Sequence, residues 1–233
     1  MKATFKLNGV KIKKNLPVCW EETKYSEFLA YELLKKFKKD YDAADVLAIF
    51  TGIDAETLRG AKVSNLPTLL ALLSFLKYQS IDYALPKEIL GYKIKDNIEI
   101  EEIQRYADME ALIKDFKDGD PKNLEKYPLI VATYVVEPYN FKHAEDLAPS
   151  FLDAPAMEVL AVANFTLVNI TVLNSITPVI VRLAALPRNN WKQGMRNSIA
   201  RLAFSLSLFF LKRKLPTPVK RYLDGRLRSL SLT

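Results

Sequence analysis

The chain has one cysteine, one histidine and only 7 glycines among its 233 residues. A single thiol, Cys19, excludes an intrachain disulfide framework and fits a reducing compartment, or a particle assembled in one. A single imidazole, His143, leaves no histidine-rich metal site and little scope for a Ser-His-Asp arrangement. There is no glycine-rich phosphate cradle, no P-loop and no dinucleotide fingerprint. Internal repeats of fixed period and low-complexity linkers are also missing. The N-terminus alternates apolar and basic residues and lacks the continuous apolar core of a secretory signal, so export by that route is not expected. From Val159 to Val181 there is no charged residue at all.

What is present is the composition of a folded protein, 49% apolar and 26% charged, on a chain long enough to bury a substantial core. The charge is split at one point. Arg182 to Thr233 holds twelve Lys/Arg against one acid, Asp224, whereas the chain before it has 22 basic and 26 acidic residues. The tail therefore carries about +11 and the rest about −4 at neutral pH, which points to the tail as the segment that meets partners.

The order of elements predicts a mostly helical α+β fold. Thr4 to Lys14 alternates Phe5, Leu7, Val10 and Ile12 with lysines around Asn8-Gly9, the pattern of a tight β-hairpin. A helix is expected over Lys24–Lys38, with Thr23 as N-cap and a buried stripe of Phe28, Leu29, Leu33, Leu34 and Phe37. Asp42 caps Ala43–Phe50 and Asp54 caps Ala55–Arg59, with Gly52 and Gly60 as stops. Pro67 opens a leucine-rich helix that reaches about Lys77. A second hairpin is predicted over Ile89–Ile100, turning at Lys95-Asp96-Asn97. Helices then follow at Glu101–Phe116, Pro128–Val136 and Phe141–Leu147, the first two separated by a loop at Lys117–Pro121. This front part, residues 1–155, reads as a helical body with two hairpins; residues 156–233 read as an apolar helix plus a basic amphipathic tail.

The charge-free run is long enough to cross a bilayer core of about 30 Å if helical. Its content argues otherwise. Asn164, Asn169, Asn174, Ser175 and three threonines interrupt it, Pro178 lies near its end, and unpaired amides are costly in hydrocarbon. A helix buried in a large core or a subunit interface is the expected form, with a strand as the minor alternative. After Pro187–Gly194, Met195, Ile199, Leu202, Leu206 and Phe209 recur at four, three, four and three, forming one apolar stripe on a helix from Met195 to Lys214. With Phe210 these are the candidate partner-binding residues. The candidate basic patch is Arg188, Lys192, Arg196, Arg201, Lys212, Arg213, Lys214, Lys220 and Arg221, the last two within a short segment at Val219–Leu230.

Groups that could carry catalysis read as structural. His143 stands near Glu145 and Asp146 as a surface or capping residue, and Cys19 reads as a packed thiol. Glu21-Glu22 and Glu99, Glu101 and Glu102 are acids beside helix starts, where they favour the dipole. Asp118-Gly119-Asp120 lacks the remainder of a calcium loop. The Asn164 and Asn169 triplets match a glycosylation pattern by chance. No catalytic residue, cofactor or metal is assigned, and an enzyme is not expected.

The stretch Pro17-Val18-Cys19-Trp20-Glu21-Glu22-Thr23-Lys24-Tyr25 after a short hairpin resembles the opening of small proteins encoded among the tail and head–tail genes of bacteriophages, particularly those of Bacteroidetes hosts. Their Trp-x-Glu-x-Thr opening is shortened here, since Thr23 follows Glu22 directly. The Thr51-Gly52-Ile53 step, Leu73-Ser74-Phe75-Leu76, Gly91 to Ile94 and the run Phe151 to Phe165 are similar to the same pattern. The resemblance covers roughly residues 3 to 170 and leaves out the tail after Arg182. It implies a virion-structural or assembly role, as a tail assembly chaperone or a neck or tail ring protein. The implied setting is the virion or the host cytoplasm during assembly, and no catalytic residues come with it. The expected partners are other phage structural proteins and copies of this chain. Two alternatives from other classes stand beside it: a membrane-associated protein using residues 159–181 and the basic helix, and non-specific DNA binding through the tail.

Overall fold

The computed structural model describes residues 1–60, 66–77, 84–95, 103–117 and 119–184, the last helix by backbone alone at 172, 173 and 175–184. The described chain is mostly helical, with two small antiparallel hairpins. It divides into two compact units. One comprises Met1–Lys95 with Asp120–Ala163; the other takes 96–119 and the chain from Asn164.

The first unit begins with the expected hairpin, β1 (Lys2–Leu7) against β2 (Val10–Asn15). Asn8 (φ 50°) and Gly9 (φ 84°) make the turn, a conformation that both residues tolerate and whose twist matches the strands. Alternation buries Ala3 and Phe5 on one face. Leu16 N–H donates to the Met1 carbonyl at 2.9 Å, closing the open end.

A 3₁₀ turn at Trp20–Glu22 leads into α1 (Tyr25–Phe37), and here two sequence expectations are corrected. Thr23 does not cap the helix. Its hydroxyl donates to the Cys19 carbonyl (3.0 Å) within the preceding turn, while Lys24 takes the N-cap position and its N–H donates to Glu27 Oε2 (3.0 Å). The buried residues are Tyr25, Phe28 and Tyr31, and Phe37 is 58% exposed. The reason is Trp20. Its indole meets Phe28 edge-on at 5.5 Å and Tyr31 at 6.2 Å, with Phe75 on another side at 5.1 Å. The aromatic cluster draws Tyr25, Phe28 and Tyr31 furthest in, leaving Leu29, Leu33 and Leu34 of the expected stripe half-buried and Phe37 outside it.

Helix α2 (Ala43–Thr51) follows the sequence reading. Asp42 Oδ1 accepts from Asp45 N–H (3.0 Å), Asp45 Oδ2 accepts from Asp42 N–H (3.1 Å), and Gly52 (φ 65°) ends the helix with a bond to the Ala48 carbonyl. Helix α3 (Ala55–Gly60) is capped by Asp54, which accepts from Thr57 N–H (3.0 Å). Helix α4 (Leu66–Leu72) tightens into a 3₁₀ turn through Lys77, burying Leu69, Leu73 and Leu76.

The second hairpin is shorter and displaced. Strands β3 (Glu88–Ile89) and β4 (Tyr92–Lys93) turn at Leu90-Gly91, whereas Asp96 and Asn97 of the predicted turn lie outside the described residues. Gly91 (φ 82°) supplies one left-handed residue, and Leu90 (φ 49°) is forced to be the other. Tertiary contacts hold this register. Ile89 is buried, Tyr92 packs near Phe151 (6.4 Å), and the Tyr134 hydroxyl donates to the Lys95 carbonyl.

After α5 (Ile103–Ile113), which belongs to the second unit, the chain re-enters the first through a 3₁₀ turn at Pro121–Lys126 capped by Asp120. Helix α6 (Tyr127–Val135) is buried along nearly its whole surface, as expected of a helix apolar all round. Helix α7 (Phe141–Leu147) and a 3₁₀ turn at Ala148–Leu152 pack against it. The start of α8 (Ala156–Ala184) is locked to the start of α1: Tyr25 N–H donates to the Ala154 carbonyl (2.9 Å) and Ala156 N–H to the Thr23 carbonyl (2.7 Å). The charge-free run therefore lies on one helix, not a strand.

Of the second unit, α5 and α8 from Asn164 onward are described. Helix α5 buries Met109 and Arg105, and this part of α8 buries Phe165, Thr166, Val168 and Ile170. The predicted basic helices at Met195–Lys214 and Val219–Leu230 lie outside the described residues.

Candidate functional site

All the candidate partner-binding residues (Met195, Ile199, Leu202, Leu206, Phe209 and Phe210) and all the basic-patch residues from Arg188 to Arg221 lie outside the described residues. What the structure does describe is the helix that leads to them. Along α8, Asn169 Nδ2 donates to the Phe165 carbonyl (2.8 Å) and Thr171 Oγ1 to the Leu167 carbonyl (2.7 Å). Each of these two donors is answered four residues back on its own helix. Among the described residues no helix is long and apolar enough to cross a membrane.

The titratable groups are arranged as staples. Asp45, 8% exposed, receives Lys38 Nζ from the end of α1 (2.7 Å) and Arg59 Nη2 from α3 (2.7 Å). Arg59 also reaches Asp42 (2.9 Å) and Glu56 (2.5 Å). The Lys38 ammonium, then the Asp42 N–H and the Arg59 guanidinium, hold the Asp45 carboxyl well below the usual carboxylate range. This cluster joins three helices and leaves its carboxylates matched to cations, which suits architecture better than proton transfer.

The remaining sequence candidates are equally local. Cys19 is half-buried, and burial together with its contact to Glu21 pushes the thiol up, away from the reactive thiolate. Glu22 Oε2 accepts from Val18 N–H (3.2 Å) and from the N-terminal ammonium (3.5 Å). His143 is exposed, and its backbone N–H donates to the Asn140 cap (3.1 Å). Asp120 caps its 3₁₀ turn through Lys122 N–H (3.1 Å). Burial, and then Glu88, push the Glu158 carboxyl up at the start of α8. Glu99, Glu101, Glu102 and Asp118 lie outside the described residues. Among the described residues no group of three or more His, Cys, Asp or Glu could hold a metal ion.

One set of residues was not singled out from sequence. The register of the first hairpin pairs Lys2 with Asn15, Thr4 with Lys13 and Lys6 with Lys11, so four lysines share one exposed face. The signal was available: the Asn-Gly turn determines the register, and the register determines the face.

Comparisons with protein-family models, with curated proteins and with solved structures each found no match. What the fold defines is a class, a mostly helical α+β protein with two small hairpins.

Proposed function

We propose that this chain is a non-enzymatic structural or assembly protein of the tail or head–tail region of a bacteriophage, acting through protein–protein contacts. Its partners are other structural proteins of the particle and further copies of itself, with the basic tail in contact with DNA as a secondary role. The observation that carries the reading is α8. A 29-residue helix carries the charge-free run and turns the Asn169 amide and the Thr171 hydroxyl back on its own backbone. Such a helix suits burial against protein rather than chemistry or ligand capture. It leads toward the amphipathic stripe from Met195 to Phe209, the pattern of a helix that lies in a partner's groove.

The test is the assembly state of the full chain, alone and co-expressed with the tail and neck proteins encoded beside it. Native mass spectrometry and light scattering should show an oligomer or a stable complex. Leu202→Asp with Leu206→Asp should dissolve it while leaving the thermal transition of the body in place. A protein that stays monomeric alone and with those components overturns the proposal. Detection in purified virions then separates a structural component from a chaperone.

A further inference from the structure

The first hairpin is two-faced in an unusual way. Its inner face carries Ala3 and Phe5 of β1 into the core, and Leu16 ties back to Met1 through two bonds to backbone carbonyls (2.9 and 2.6 Å), so the ribbon is anchored through β1 and at its open end. Its outer face carries Lys2, Thr4 and Lys6 on β1 opposite Asn15, Lys13 and Lys11 on β2, all exposed. Every one of these six side chains can donate a hydrogen bond, and none is a carboxylate or an apolar group. Lys6 stands directly across from Lys11, a placement of like charges that costs a hairpin stability. Lys2, Lys11 and Lys13 form no ion pair among the described residues.

We propose that the outer face of the β1–β2 hairpin binds the phosphate backbone of double-stranded DNA without reading its sequence.

The chemistry of the face selects this occupant. Lysine is a point-charge partner for phosphate, and Thr4 and Asn15 add neutral donors of the kind that position proteins on a backbone. The lysines from Lys2 to Lys6 extend over about 13 Å at the rise of a strand, and a two-stranded ribbon fits a major groove about 12 Å wide. A protein partner is disfavoured, because interface cores are apolar and aromatic and depleted in lysine. Single strands would need aromatic stacking platforms, which this face lacks. A bilayer would need an inserting apolar face, and the outer face has none. This DNA-binding face is separate from the basic tail and does not depend on the assembly role.

The experiment uses the full chain and a short random-sequence DNA duplex, with binding followed by fluorescence anisotropy from about 50 to 200 mM salt. The variant is Lys2→Gln, Lys6→Gln, Lys11→Gln and Lys13→Gln together. Affinity at low salt should fall by tenfold or more, and the slope of log K against log salt should flatten by about 0.9 for each phosphate that is no longer neutralised. The thermal midpoint should stay near that of the unchanged chain, because all four side chains are exposed. Replacing the same four lysines by arginine should preserve binding. The same flattening should appear when Lys212, Arg213 and Lys214 are first changed to Gln, which separates the hairpin from the tail. An unchanged affinity and slope in the four-glutamine variant overturns the proposal. So does a loss confined to vesicles rich in phosphatidylserine with none on DNA, which would assign the face to lipid.

Discussion

The first hairpin pairs six residues on each strand around Asn8-Gly9; the second pairs two on each around Leu90-Gly91. Their turns have the same shape, with φ near 50° and then above 80° in both. The first is favourable where it stands, since Asn and Gly accept the left-handed region and the alternation on either side extends the ladder. The second places a leucine where the side chain crowds the backbone, at a cost of roughly 1–2 kcal/mol. It persists because Ile89, Tyr92 and the Lys95 carbonyl are each held from outside the hairpin. A turn can thus be imposed by its surroundings as well as encoded in its own residues.

The largest effects should come from removing the buried anchor of each hairpin. Phe5 and Ile89 are both 1% exposed. Phe5→Ala should cost about 3–5 kcal/mol and Ile89→Ala about 2–5 kcal/mol in urea denaturation. The comparison sharpens in amide exchange. Ile89→Ala should release the protection of Tyr92 and Ile94 early, because that hairpin has no turn to hold it alone. Equal loss of protection in both hairpins would erase the distinction.

Next come the turn residues themselves. Asn8→Val puts a β-branched residue at positive φ and should destabilise by about 1–2 kcal/mol. Leu90→Asn should have the opposite sign, raising stability by about 1 kcal/mol, since Leu90 is 47% exposed and gives up little burial. A destabilising Leu90→Asn would mean that the leucine side chain makes a contribution larger than its strain.

The smallest effect concerns acid. The Asp45 carboxyl is held low in the folded state by Lys38, Asp42 and Arg59, so its contribution is present above the unfolded value near 3.9 and is lost as pH falls through the folded value. The urea midpoint should therefore drop below about pH 4. Asp45→Asn should lower the midpoint at neutral pH and flatten the acid limb, and an unaltered acid limb would assign the loss to other carboxylates.

Legibility followed the range of each signal. Asp42, Gly52, Asp54 and Asn8-Gly9 act on backbone groups within a few residues, and each does what its type predicts. Thr23 shows where that logic stops: its hydroxyl had two local uses, and the turn at Trp20 claimed it for the Cys19 carbonyl. The lysine face was readable from the register but not from composition, since +7 overall says nothing about which side of a ribbon the charge occupies.

By itself the sequence determined the two ends of α2, the start of α3, the helical form of the charge-free run and the register of the first hairpin, because these rest on neighbouring backbone dihedrals and hydrogen bonds. Only the tertiary structure decided which face of α1 points inward, where the second hairpin turns and how Asp45 ties three helices together. Those outcomes depend on partners remote in the chain, as Phe75 is from Trp20 and Tyr134 from Lys95. Burial is a choice among competing faces, and the arrival of those partners settles it.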